Sequence, residues 1–412
     1  MQNQKIKNIA FCICLIFILH PLLCLPLIII EVYNKRHYAL ILLGCFMGLC
    51  AMLWPPTGDL YRHTMDYFDY IDKDEFELKL GQFDFILYYL SYVFANLGIN
   101  FELVRFLFVF LSYMIVFFIF EDMGKTTEFI TKHYRISLCI FFFSVPFCLI
   151  AFGLRYGFAC SLMYLGLYYL LIKNRKIGWV YACLSIMTHY SLIVMLLLIW
   201  IVRLGINISS KRIVWFSFLS FIFLSSIFLE KIILLLPLPG FIQAAILAYV
   251  SGYWSGEHFE DHSLGFRLAS ILSYITIYPL VYYFLQIKEK SKLNSFLIIG
   301  ICLWSVCSVS SELFVRTSLF LIFPLLLYML SVVNMSGHLK KMQLILYFLI
   351  ITFCSQLYSY RRVLGISDMY KLGYSSSASI LFHTYDEEWI HKNVSFVFRI
   401  SKQPKITRNI QA

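Results

Sequence analysis

Apolar runs of about 20 residues recur from one end of this 412-residue chain to the other. A helix needs about 20 such residues to cross a hydrocarbon layer of ~30 Å. Candidate helices are 9–31, 38–54, 101–121, 136–152, 156–172, 213–229, 265–287, 295–311, 317–334 and 342–358. Only 14% of the residues are charged, against about 25% in soluble domains. The runs lack the alternation over ~10-residue strands expected of an outer-membrane barrel. The expected fold class is therefore all-α. The chain reads as a polytopic helical membrane protein with about 11–12 transmembrane helices and re-entrant or interfacial segments on its outer face.

Two segments need arbitration. Residues 83–98 are short and aromatic-rich, and 177–203 is long with Thr188-His189-Tyr190-Ser191 in its middle. The positive-inside rule places basic clusters in the cytoplasm. The clusters are Lys35/Arg36, Lys125/Lys132/Arg135, Lys173/Arg175/Lys176, Arg203/Lys211/Arg212, Lys288/Lys290/Lys292 and Lys340/Lys341. All six fall inside if 83–98 does not cross and 177–203 goes up and comes back, breaking near His189. Such a break is tolerated only where protein or water surrounds it. The organisation expected is a membrane domain over 1–358, with outer loops 55–82 and 230–264, followed by a polar tail over 359–412. The first apolar run follows Lys5 and Lys7 without a small-residue cleavage site, so it reads as an uncleaved helix.

The net charge of +11 does not imply nucleic acid, because the cations sit in short clusters between apolar runs. The twelve cysteines are scattered through those runs with no Cys-x-x-Cys, so they read as small buried hydrophobes. Glu257, His258, Asp261 and His262 could hold a divalent ion, but their loop reads as flexible in character. Neither a metal nor a cofactor is assigned.

Chemistry is expected in the polar stretch from Trp54 to Tyr70, which holds Asp59, Arg62, His63, Asp66 and Tyr67. The topology carries Arg155, His189, Arg267, Glu312 and Arg316 to the same outer side. Ionisable groups at membrane depth are costly and usually face a cavity. The arginines Arg155, Arg267 and Arg316 suit an anionic ligand, because the guanidinium is a planar fork that fits phosphate. A diphosphate joining a lipid to a sugar is such a ligand. Sugar transfer from it needs positive charge on the departing group and a base for the acceptor hydroxyl. Asp59 and His189 are the candidate bases. Arg62 and the neighbouring tyrosines, Tyr67 among them, would line the sugar path.

These residues together resemble a known family. Gly58-Asp59-Leu60-Tyr61-Arg62-His63 is followed by Tyr67, and Leu154-Arg155-Tyr156-Gly157-Phe158-Ala159 heads a helix. Then come Lys173-x-Arg175-Lys176, the H-x-S of His189-Tyr190-Ser191, Gly265-Phe266-Arg267 and Arg316. Over about residues 10–360 the pattern resembles the EpsG-like bacterial polysaccharide polymerases, of the O-antigen polymerase (Wzy) class. The resemblance implies an inner-membrane glycosyltransferase with its active site facing the periplasm. It would polymerise undecaprenyl-diphosphate-linked oligosaccharide repeat units into O-antigen or a similar surface polysaccharide. It also implies no cofactor, the lipid-linked oligosaccharides and the bilayer as partners, and a chain-length regulator protein as a further partner. The sugar–diphosphate bond would supply the energy, in keeping with a sequence that has no Gly-rich phosphate loop. The alternatives are a flippase or transporter of the lipid-linked unit and an O-antigen ligase. A glycan acyltransferase and a non-catalytic scaffold stand further off. A transporter usually carries repeated halves, and the sequence shows no internal repeat.

Overall fold

The computed structural model describes residues 2–71, 73, 75–76, 85–206, 208, 210–222, 234–235, 240, 243, 247, 264–308, 310–332 and 339–398. Every regular element among the described residues is helical. In chain order they begin with α1 (Gln2–Leu19), α2 (Pro21–Tyr33), α3 (His37–Met52), α4 (Asp59–Tyr70), α5 (Ile86–Asn96) and α6 (Phe101–Gly124). Next come α7 (Glu128–Lys132), α8 (Tyr134–Ser144), α9 (Phe147–Phe152), α10 (Leu154–Leu167), α11 (Gly178–Thr188), α12 (Ile193–Arg203) and α13 (Arg212–Ile222). Further helices follow at Leu264–Leu272, Ile277–Gln286, Lys292–Cys307, Ser311–Val332, Leu339–Ser359, Arg361–Gly365, Ser377–Leu381 and Glu387–Phe398.

Five stretches are long and apolar enough to cross a membrane: Phe101–Gly124, Tyr134–Phe152, Leu268–Gln286, Glu312–Val332 and Leu339–Ser359. Shorter apolar helices accompany them. At ~1.5 Å per residue the longest covers ~36 Å. The chain is an all-α polytopic membrane protein, as its hydropathy requires.

The chain forms two compact units. One holds residues 1–111, 149–154 and 360–412, and the other holds 112–148 and 155–359. In the first, the expected single helix 9–31 is two, α1 and α2, broken at His20 (φ −147°) before Pro21. Proline drives the residue before it out of the α region. The break is sharp, since Cys24 Sγ lies 3.3 Å from the carbonyl of Ile13 across it. Helix α5 has 11 residues, or ~16 Å, too short to span; it packs on α4. The segment after Tyr360, expected to be a polar tail, is folded through Phe398. There Ser377 Oγ donates to the carbonyl of Phe17 at 2.5 Å, and Met369–Gly373 packs on α2.

In the second unit, Ser311–Val332 packs against Lys292–Cys307, Ile277–Gln286 and α8, and the central part of it is largely buried. Polar side chains tie helices together in this apolar setting. The Trp304 indole donates to Ser318 Oγ at 2.7 Å, and Thr276 and Thr352 bond at 2.7 Å. The stretch 177–203 breaks at His189 as expected. Helix α12 also comes back, because Arg203 at its end donates to the carbonyl of Leu170 at 3.2 Å and to Asn174, just before α11. The hairpin packs tightly on α10. A Cβ at Gly178 would stand 2.8 Å from the carbonyl of Gly166, so only glycine permits that approach.

Candidate functional site

In the first unit the candidate residues lie on α4. Gly58 precedes it with φ +60° and ψ −126°, a conformation costly for any residue with a Cβ. That turn puts Asp59 at the first position of the helix, where the dipole favours a carboxylate. Spacings of three and four place Asp59, Arg62, His63 and Asp66 on neighbouring turns. Arg62 Nη2 donates to Asp59 Oδ1. His63 Nε2 lies 3.3 Å from Asp59 Oδ2, and His63 Nδ1 lies 3.7 Å from Asp66 Oδ2. His63 is buried, with the edge of the Tyr88 ring against it at 5.5 Å, whereas Asp59 and Arg62 are 39% and 62% exposed. Asp59 is thus a solvent-facing carboxylate backed by a buried imidazole and covered by a movable arginine. Tyr67, read from sequence as lining the sugar path, sits on the inner face of α4. Its hydroxyl donates to the carbonyl of Ile99 at 2.6 Å.

In the second unit four residues converge. The Tyr156 hydroxyl donates to the carbonyl of Arg316 at 3.1 Å, and the Arg316 guanidinium stands 5.4 Å from the Tyr156 ring centre. Arg316 Nε donates to Glu312 Oε1 at 2.6 Å. The His189 ring meets Tyr156 edge-on at 5.4 Å. Arg155 is buried as the second residue of α10, which a single residue, Gly153, separates from α9. The first turn of a helix leaves its N–H groups unsatisfied, and anions bind there.

The H-x-S pattern has a structural reason. His189 is extended (φ −152°, ψ 110°) and caps the turn Tyr190–Leu192, with its side chain accepting from the Ser191 N–H at 3.3 Å. Ser191 Oγ is 2.9 Å from the same Nδ1. A backbone N–H only donates, so Nδ1 is the acceptor and the neutral ring carries its proton on Nε2. In that form His189 offers a donor at Nε2, which suits orienting an oxygen rather than taking its proton.

The structure brings Asp59 and Arg62 together with His63 in one unit, and Arg316 and His189 together with Tyr156 in the other. Arg267 lies in the helix Leu264–Leu272, and its side chain lies outside the described residues. So do Glu257, His258, Asp261 and His262. Among the described residues no group of three His, Cys, Asp or Glu side chains is arranged to hold a metal.

Sequence reasoning missed a buried charged pair, Glu102 and Arg105, both under 5% exposed at the head of α6. Arg105 Nη1 donates to the carbonyl of Trp54 at 2.7 Å. Glu102 Oε1 accepts from the Tyr385 N–H at 3.4 Å. The signal was present, as opposite charges three residues apart in the first turns of a helix of spanning length.

Among curated proteins and solved structures no match is found. A model of the EpsG family matches residues 45–376, which include α4, α10, the His189 break, Arg267 and Arg316. That is more than three quarters of the sequence, and the chain belongs to the EpsG family, a family associated with glycosyltransferase-like polysaccharide polymerisation.

Proposed function

We propose that this protein is a membrane glycosyltransferase that polymerises oligosaccharide repeat units carried on undecaprenyl diphosphate. The reaction would take place on the periplasmic face of the inner membrane. Two arrangements on family-matched residues, each within its own unit, support the reading. One is the exposed carboxylate of Asp59 held by His63 and Arg62. The other is the Arg316–Tyr156–His189 cluster with Arg155 at a helix head.

In the proposed reaction the acceptor hydroxyl attacks the anomeric carbon of the donor sugar. A new C–O bond forms, and the bond from that carbon to the diphosphate oxygen breaks. The proton passes to the Asp59 carboxylate. Arg155, Arg267 and Arg316 neutralise the departing diphosphate, where fixed positive charge contributes most. His189, a donor at Nε2, orients an oxygen of donor or acceptor. Arg62 swings off Asp59 to line the sugar path. No cofactor takes part, and a chain-length regulator protein is the further partner proposed.

A glycan gel from a strain lacking the gene tests this. Loss of the polymer ladder, with a single repeat left on the core, is the expected result. Polymer building up on the carrier with none on the core would indicate a ligase instead. Repeat units trapped on the inner leaflet would indicate a flippase.

A further inference from the structure

The stretch that leads into Asp59 draws on donors from elsewhere in the chain for two of its carbonyls, those of Leu53 and Trp54. Helix α3 ends at Met52, and Pro55 and Pro56 bring no N–H. The carbonyls at a helix end need partners from elsewhere. Here the segment after Tyr360 supplies both donors to the Leu53 carbonyl. The Tyr385 hydroxyl donates to the carbonyl of Leu53 at 2.7 Å, and the Asp368 N–H donates to the same oxygen at 3.0 Å. The next carbonyl, of Trp54, takes Arg105 at 2.7 Å. The Trp54 ring is 1% exposed and stacks on Phe152 at 4.9 Å, which stacks in turn on Tyr360 at 4.3 Å.

The same segment covers α4 itself. Tyr385, Ile390 and Val394 form a small buried core with Tyr61, Met65 and Phe68 packed against it. The Tyr61 hydroxyl lies 3.2 Å from His391 Nδ1. Tyr385 is therefore joined both to the Leu53 carbonyl, two residues before the proline pair, and to the apolar face of α4, while its own N–H is held by Glu102. Residues 377–398 lie beyond the stretch matched by the family model.

We propose that the C-terminal segment, residues 360–398, is part of the Asp59 site, with Tyr385 as the positioning residue that fixes the head of α4. This rests on the reading of Asp59 as the base. Tyr385 touches no substrate; it acts through the Leu53 carbonyl and the packing of α4.

The test compares the full-length wild type with Tyr385→Phe and His391→Ala, by amide hydrogen exchange and by chain elongation on the same preparations. Tyr385→Phe removes one oxygen and takes from the Leu53 carbonyl the shorter of its two bonds, leaving the Asp368 N–H as its donor. It is expected to speed exchange in residues 57–66 by about tenfold, with the spanning helices unchanged. It should lower kcat per folded molecule by a similar factor, with the donor KM within about twofold. His391→Ala, at an exposed contact that the fold does not need, should move the same peptide by about threefold. Unchanged exchange at 57–66 in both variants overturns the proposal. So does faster exchange with undiminished kcat. If exchange rises as expected but the wild type elongates nothing, the coupling of Tyr385 to α4 stands and the polymerase reading fails.

Discussion

Arg316 separates a ligand-binding arginine from a structural one. It pairs with Glu312, at 2.6 Å and one helical turn away. The two side chains are 25% and 35% exposed, so the pair is worth at most about 1 kcal/mol. Stacking on Tyr156 at 5.4 Å adds about 0.5–1 kcal/mol. If Arg316 only anchors its helix, Glu312→Ala should cost about fivefold in activity or less and Arg316→Ala about 30-fold at most. If Arg316 neutralises a departing diphosphate, Arg316→Ala forfeits about 3–4 kcal/mol of transition-state stabilisation. That is a fall of about 10² to 10³-fold, against about fivefold for Glu312→Ala. The assay is the initial rate of chain elongation in isolated membranes, divided by the amount of folded protein. A loss of about 30-fold or less in Arg316→Ala would refute the role given to Arg316.

Three further outcomes follow from local geometry. Burial, and after it the Lys371 cation 3.3 Å away, push the His383 imidazole down to about 4 from its ordinary 6.5. As pH falls below ~6.5 the unfolded chain binds a proton that the folded chain refuses. Stability should therefore fall between ~6.5 and ~4, by about 1–2 kcal/mol after solvent screening. Melting temperatures across that range should show the slope, and His383→Gln should flatten it. Gly58→Ala has open space for its Cβ but must hold φ +60°, so a loss of about 1–3 kcal/mol is expected from the backbone alone, read as a lower Tm. Gly178→Ala would put a methyl 2.5 Å from Leu170 Cγ. Overpacking of that kind costs about 1–3 kcal/mol and should lower the yield of monodisperse protein in detergent.

What the sequence made legible was whatever local rules encode. Hydropathy defines the long helices, because a span must be apolar along its whole length. The placement of basic clusters puts the break in 177–203 near His189, and the structure gives its local cause, an extended His189 that caps the turn Tyr190–Leu192. Asp59 stands out as a candidate base, but within an outer loop over 55–82 rather than as the head of the helix Asp59–Tyr70. Where averages over a window replaced local chemistry, the reading slipped. The run 9–31 looked like one helix, although Pro21 makes it two. The segment after Ser359 looked like a polar tail, because Tyr385, Ile390 and Val394 are few. Their partners on α4 lie more than 300 residues away in the chain, as the bond from Tyr61 to His391 illustrates. Glu102 and Arg105 were passed over inside an apolar run, although burial of both charges is what ties α6 to Trp54 and Tyr385.

The central claim is the reaction itself, and reconstitution tests it most directly. Purified protein in vesicles would be given repeat units on undecaprenyl diphosphate, all on the leaflet that corresponds to the periplasm, without nucleotide. The account predicts glycans of increasing length, one undecaprenyl diphosphate released for each repeat added, and loss of both with Asp59→Asn. Movement of the intact lipid-linked unit between leaflets with no growth in length, or elongation that survives Asp59→Asn unchanged, would contradict it.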